Sequence, residues 1–415
     1  MMNSVQAFST QIEAPESLDA EHSPNVHDPS QVAKDDFGFS FDQLRPCPHL
    51  IWNPLRAAYW LFELVFGVLS LFALLAFLAA VPVVNFVALG YLLEAEGKVA
   101  RTGRLRHAMP LLALAPRLGG IAVGTWFWWW AVRLVADATS DARLIAPDTP
   151  IARAWQIGLR IFATVVAIHL VLAIARGGRL GLFFWPTPLN AVWLWKQVRR
   201  GQYLDSAGQT VREFVAALKL RQHFWLGLRG FMLAFIWLLF PTALFSTLKD
   251  TSKPGQVVAT ILGGTLLAVV LSWVPILQAH FAAENRWRAM FELKTIRELY
   301  RKAPIAMFLS VVVLYALSLP LYLFKVAALP KDVYWLLTPI FIATIYPAKI
   351  LIGLAYARAT HKQGRPWAVI RWPWSLLLLG LLGVYVFALF FTPAIGAAGR
   401  AVLFQHHGIL LPWPF

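Results

Sequence analysis

Eight stretches of the sequence, at about 59–81, 118–136, 156–175, 224–247, 257–282, 304–328, 334–356 and 375–395, are each apolar for close to twenty residues or more. A helix rises about 1.5 Å per residue, so ~20 apolar residues cross a hydrocarbon core of about 30 Å with every backbone group paired internally. A chain with eight such runs is expected to be all-α: a polytopic transmembrane helix bundle of about eight spans. The composition agrees, since 59% of the residues are hydrophobic and only 14% charged, against roughly 25% charged in a soluble domain. An ordinary soluble enzyme is excluded. Trp52, Trp60, Trp155, Trp225, Trp335, Trp372 and Trp374 stand at or just before runs, where an amphipathic ring prefers the headgroup level.

The charges divide the chain into zones. Residues 1–50 hold eight acids against Lys34 and Arg45, and lack the basic start and apolar stretch of a signal peptide. They read as an acidic, disordered tail. Residues 51–400 form the transmembrane domain and 401–415 a short C-terminal tail. Lys and Arg counts alternate strictly from one connection to the next, with the connections at 94–117, 176–223, 283–303 and 357–373 holding five, eight, six and four of them. By the positive-inside rule these four face the cytoplasm and the C-terminus lies outside. The expected partner is the bilayer itself, through anionic headgroups at these basic connections. Nucleic acid is not expected, because topology already accounts for basic residues confined to short connections. Cys47 is the only cysteine, so an intramolecular disulfide and a Cys-based metal cluster are both excluded.

Two places resist a simple hydropathy reading. Apolar character continues past Pro82 to Leu93, too far for one crossing. Residues 59–93 either span once with a kinked end at the interface, leaving the tail outside, or fold back at Pro82 as a hairpin that keeps the tail inside. The segment Leu180–Trp195, broken by Pro186 and Pro188, is too short to span and reads as a re-entrant or interface-lying piece. Helical spacing of Val211, Phe214, Val215 and Leu218, and of Ala289, Leu293, Ile296 and Tyr300, predicts two amphipathic cytoplasmic collars. A proline followed by a polar residue recurs as Pro82 with Asn85, Pro186 with Asn190, Pro275 with Gln278 and Pro347 with Lys349; the spacings are unequal, which favours chance over a structural repeat.

Polar groups inside the runs are the candidates for chemistry, since an ionisable side chain at the centre of a membrane helix costs about 2.5–3.5 kcal/mol on translocon scales. His280 and Glu284, at i, i+4 after Gln278, form the best local polar cluster, joined by Lys349 and Asn85. The Lys349 stem is expected to snorkel toward the cytoplasmic interface; if the Pro347 kink instead opens a cavity, Lys349 can meet an anionic group or a carboxylate such as Glu63. Arg133 and Asp137, also at i, i+4, form a candidate intramembrane ion pair. His169 reads as a hydrogen-bonded helix contact. Zinc wants at least three protein ligands, and no such set accompanies His280. Phosphate-binding glycine loops and nucleophile-elbow motifs are absent, so no cofactor or metal is implied. The aromatic cluster Trp126 to Trp130 reads as packing against lipid and neighbouring helices.

Pro82–Arg104 (PVVNFVALGYLLEAEGKVARTGR), Arg176–Arg179 (RGGR) and Phe224–Phe231 (FWLGLRGF) resemble an uncharacterised family of bacterial polytopic membrane proteins carrying a domain of unknown function, over about residues 57–370. The resemblance implies a bacterial cytoplasmic membrane and carries no reaction or site residue. The resulting expectation is non-enzymatic handling of a small molecule or lipid, or membrane organisation. The competing one is a membrane-embedded lipid-modifying enzyme using His280 and Glu284, with or without Lys349, which predicts that they converge in a pocket open to the cytoplasmic leaflet.

Overall fold

The computed structural model describes residues 53–184, 188–199, 203–326, 336–364, 366–396 and 399–405. Among them there is no strand. The helices are α1 (Pro54–Ala80), α2 (Asn85–Thr102), α3 (Ala115–Ile145), α4 (Pro150–Ala175), α5 (Leu180–Phe184), α6 (Pro188–Arg199), α7 (Tyr203–Ala217), α8 (Leu220–Phe245), α9 (Pro254–Glu284), α10 (Leu293–Lys302), α11 (Pro304–Val326), α12 (Leu337–His361), α13 (Ala368–Phe391) and a last short turn. Seven helical stretches, Pro54–Ala80, Pro150–Ala175, Val211–Phe245, Pro254–Glu284, Pro304–Phe324, Leu337–His361 and Ala368–Ala394, are long and apolar enough to cross a membrane. The protein is thus a multi-pass integral membrane protein. The remaining expected run, 118–136, lies in α3, which is long enough at 31 residues. Its tryptophans, glycines and charged residues leave it less apolar than the seven, and Trp126, Trp129 and Trp130 point outward, 50–64% exposed.

The long apolar stretch around Pro82 folds back. Phe72 and Tyr91 are nineteen residues apart and would sit ~28 Å apart on one straight helix. Both rings instead pack on Tyr346, with centroids at 5.8 and 6.0 Å. The reversal is made by residues 81–84, where the Asn85 amide donates to the Val81 carbonyl at 2.9 Å and Val83 takes a left-handed φ of 70°, unusual for a β-branched residue.

Having turned, α2 becomes the centre of the bundle, packed on α8, α9 and α12. It runs antiparallel to α8, with Phe86 against Phe231 at 5.7 Å and Glu94 against His223 at 2.7 Å. It runs alongside α12 in the same sense, from Tyr91 at Tyr346 to Gly103 at Ala357. Close approach to α8 depends on two glycines. A Cβ on Gly90 would stand 1.7 Å from the His223 carbonyl oxygen, and one on Gly227 would stand 1.9 Å from that of Phe86. Small residues at such crossings let backbones approach where no hydrophobic force draws helices together in lipid.

The C-terminal ends of α2, α9 and α12 and the start of α8 gather at one end of the bundle, which carries the basic connections and is called here the basic end. Part of each expected collar is helical there. The first is α7, running into α8. The second is a 3₁₀ turn, Trp287–Phe291, followed by α10, which buries Ala289, Ile296 and Leu299 against the bundle. The expected re-entrant piece begins as α5, whose buried Phe183 fills the space beside Gly124; Pro186 and the side chain of Asn190 fall outside the described residues.

Candidate functional site

Three helices bring the buried ionisable groups together. Lys349, two residues after Pro347 on α12, is only 3% exposed, and Glu96 on α2 is fully buried. The Lys349 ammonium donates to Glu96 Oε2 at 3.1 Å and to Gln278 Oε1 of α9 at 3.2 Å. Gln278 in turn donates to the Gly230 carbonyl of α8 at 3.4 Å. Lys349, expected to snorkel toward the interface, is instead buried, and it shares a contact with Gln278. The carboxylate is Glu96, however, and not Glu63, which lies on α1. Glu96 Oε1 has no hydrogen-bond partner among the described residues. A desolvated pair of this kind is costly to form and more costly to break on one side, so it fixes the register of α2 against α9 and α12.

His280 enters a second, separate cluster near the basic end. Its Nε2 lies 2.8 Å from Glu292 Oε2 and its Nδ1 2.8 Å from the Tyr356 hydroxyl. A carboxylate only accepts, so the ring donates to Glu292 from Nε2, and in the neutral imidazole Nδ1 is left to accept from Tyr356. The hydrogen bond from His280, opposed by slight burial and helped by nearby positive charge that includes Arg286, holds the Glu292 carboxyl below the usual carboxylate range. Glu284 turns outward to Arg286 at 3.1 Å, with 42% of its side chain exposed. Asn85 is buried at the start of α2 with its side-chain oxygen unpartnered.

Arg133 and Asp137 make no ion pair among the described residues; Arg133 instead stacks over Trp129, 5.4 Å from the ring centroid. His169 bonds the Phe183 carbonyl at 3.0 Å and meets Trp128 edge-on, a helix contact of the kind expected of it. No group of three or more His, Cys, Asp or Glu suited to a metal occurs among the described residues.

A feature that sequence reasoning missed is a cavity of about 840 Å³ at the basic end, between α2, α8 and the end of α9. Arg101, Arg221 and Arg229 line it, with Gln222, Trp225 and Asn285. Arg101 caps α9 by donating to the Ala282 and Ala283 carbonyls at 3.1 and 2.9 Å. Arg229 reaches the Trp225 carbonyl and Asn285 Oδ1 at 3.1 and 3.2 Å. Arg221 has no ion pair or hydrogen bond among the described residues. The lone acid in the lining, Glu94, already holds His223 at 2.7 Å and Lys98 at 3.1 Å. Three guanidinium groups therefore face a shared space with little opposing charge. The signal was present in the sequence as basic residues after two apolar runs, but their convergence depends on the α1–α2 reversal.

No family model, curated protein or solved structure matches the chain.

Proposed function

We propose that this membrane protein binds and handles a phosphate-bearing anion, as a lipid headgroup or a free phosphate ester, in the arginine-lined cavity at its cytoplasmic end, without chemistry on it. The observation that carries the reading is the set Arg101, Arg221 and Arg229 around one cavity whose only carboxylate is already engaged. Planar guanidinium groups match phosphate oxygens in pairs, and a pocket of several hundred Å³ is the usual size for a small ligand. Among the described lining residues the one base, Glu94, is paired to His223 and Lys98, and no Ser or Cys stands with it, which favours binding over transfer. The enzyme alternative is weakened because its three residues go to different partners: Lys349 to Glu96, His280 to Glu292 and Tyr356, and Glu284 to Arg286. Orientation follows from the positive-inside rule, and a bacterial cytoplasmic membrane from the family resemblance.

Equilibrium binding of the full chain in neutral-detergent micelles tests this, with glycerol 3-phosphate and short-chain phosphatidylglycerol as probes. Arg221→Gln with Arg229→Gln is expected to weaken the preferred probe at least about tenfold, as loss of charge-assisted bonds worth ~1.5–3 kcal/mol each implies. Saturable binding of neither probe, or binding unchanged by the double variant, overturns the reading.

A further inference from the structure

We infer a second, lipid-specific site between α9, α10 and α13: a slot that takes one anionic phospholipid of the cytoplasmic leaflet, phosphate on three arginines and acyl chain along the helices. The slot, of about 390 Å³, is lined by Arg297, Arg301 and Arg371, by Trp273 and Trp372, and by apolar residues that include Val269 and Leu378. Its lining contains no acidic residue. Arg297 and Arg301 stand one turn apart on α10, so both project to the same face. Arg371 meets them from the first turn of α13. Among the described residues its Nε is buried without a hydrogen-bond partner. Three guanidinium groups around one slot, with no acidic residue among its described lining, are matched by an external anion.

The walls choose among acceptors. Below the arginines the lining turns apolar through Trp273, Leu378 and Leu379, and Leu379 remains 39% exposed on the outer surface of the bundle. Trp372, 66% exposed beside Arg371, is an indole of the type that settles at headgroup depth. A soluble phosphate gains nothing from this wall, whereas a phospholipid places phosphate and chain on the two halves of the slot at once. The buried face of α10 holds the arginines in place: Ile296 and Leu299 are buried against the bundle, and the Tyr300 hydroxyl donates to the Ser272 carbonyl of α9. The site shares no lining residue with the α2–α8 cavity, so each stands or falls separately.

Native mass spectrometry of the full chain released from nanodiscs of phosphatidylglycerol or phosphatidylcholine decides the matter. One phosphatidylglycerol adduct is expected to survive where phosphatidylcholine does not. Arg301→Gln with Arg371→Gln should reduce its occupancy at least fivefold, while Arg221→Gln with Arg229→Gln leaves it in place. Leu378→Trp, which fills the slot and keeps every arginine, should remove it too, and serves if the arginine variant fails to fold. Equal retention of both lipids, an adduct that persists in Leu378→Trp, or displacement of the lipid by millimolar inorganic phosphate alone overturns the inference.

Discussion

Lys349 shows how one residue ties sequence to architecture. A lysine three-hundredths exposed within a membrane helix survives because Glu96 and Gln278 meet it. Lys349→Met leaves Glu96 buried and uncompensated, and is expected to cost about 3–5 kcal/mol. Adding Glu96→Met should restore most of that, since replacing both partners of a buried pair by apolar groups is often neutral. Denaturant unfolding in mixed micelles measures both; equal, additive losses would contradict the pairing. Gly90→Ala makes a second case, because its new methyl meets a backbone carbonyl that α8 cannot easily move. Overpacking there should cost at least about 1–3 kcal/mol, read as a lower thermal midpoint. Lys349 and Gln278 were legible as polar residues after prolines in apolar runs. Glu96 was not, because it lies 253 residues from its partner and nothing local marks which distant helix a carboxylate faces. Asn85 stood out for the same local reason, yet no hydrogen bond to its side-chain oxygen is made among the described residues.

Among the elements, α2 and α10 carry the arrangement of the basic end. Hydropathy located α2 only as the surplus of an overlong run, and left its direction open; the contacts of Phe72 and Tyr91 with one tyrosine settle it as the returning arm of a hairpin. The amphipathic period of α10 was readable, since apolar residues recur at helical spacing among four basic ones. Its tie to the bundle was not, because the bond joins Glu292 to a histidine on another helix. That tie is pH-dependent. With the folded Glu292 carboxyl held below its ordinary value, its contribution is present above the ordinary carboxylate range and is lost as pH falls through the lowered folded value. Hydrogen exchange of α10 amides is therefore expected to accelerate as pH falls below about 4, after correction for intrinsic rates, while Glu292→Gln removes most of that step. A protection profile identical in the two proteins would sever α10 from this bond.

At the scale of the whole molecule, the bundle combines a tightly packed centre with arginine-bearing clefts at one end. The close crossings of α2 favour a scaffold that holds its shape, and the clefts are lined by arginines. The hairpin also predicts topology: the N-terminal tail shares a side with the connection at 94–117. Cys47, the only native cysteine, and a cysteine placed at Arg104 should react with an impermeant maleimide from the same side, and a cysteine at Gly255, in a Cys47→Ser background, from the other. Labelling of Cys47 together with the Gly255 position would reverse the first helix. Eight runs and their charge alternation were enough to read an all-helical membrane protein, because length and hydropathy are local quantities. The arginine cavity was hidden because it is assembled from three helices whose neighbours are set only by packing. Its occupancy is the most direct test of the account: an experimental density map of the protein in phosphatidylglycerol nanodiscs. Density of phosphate size bridging Arg101, Arg221 and Arg229 is the predicted result; a cavity holding only water, with these guanidinium groups turned away from one another, would contradict it.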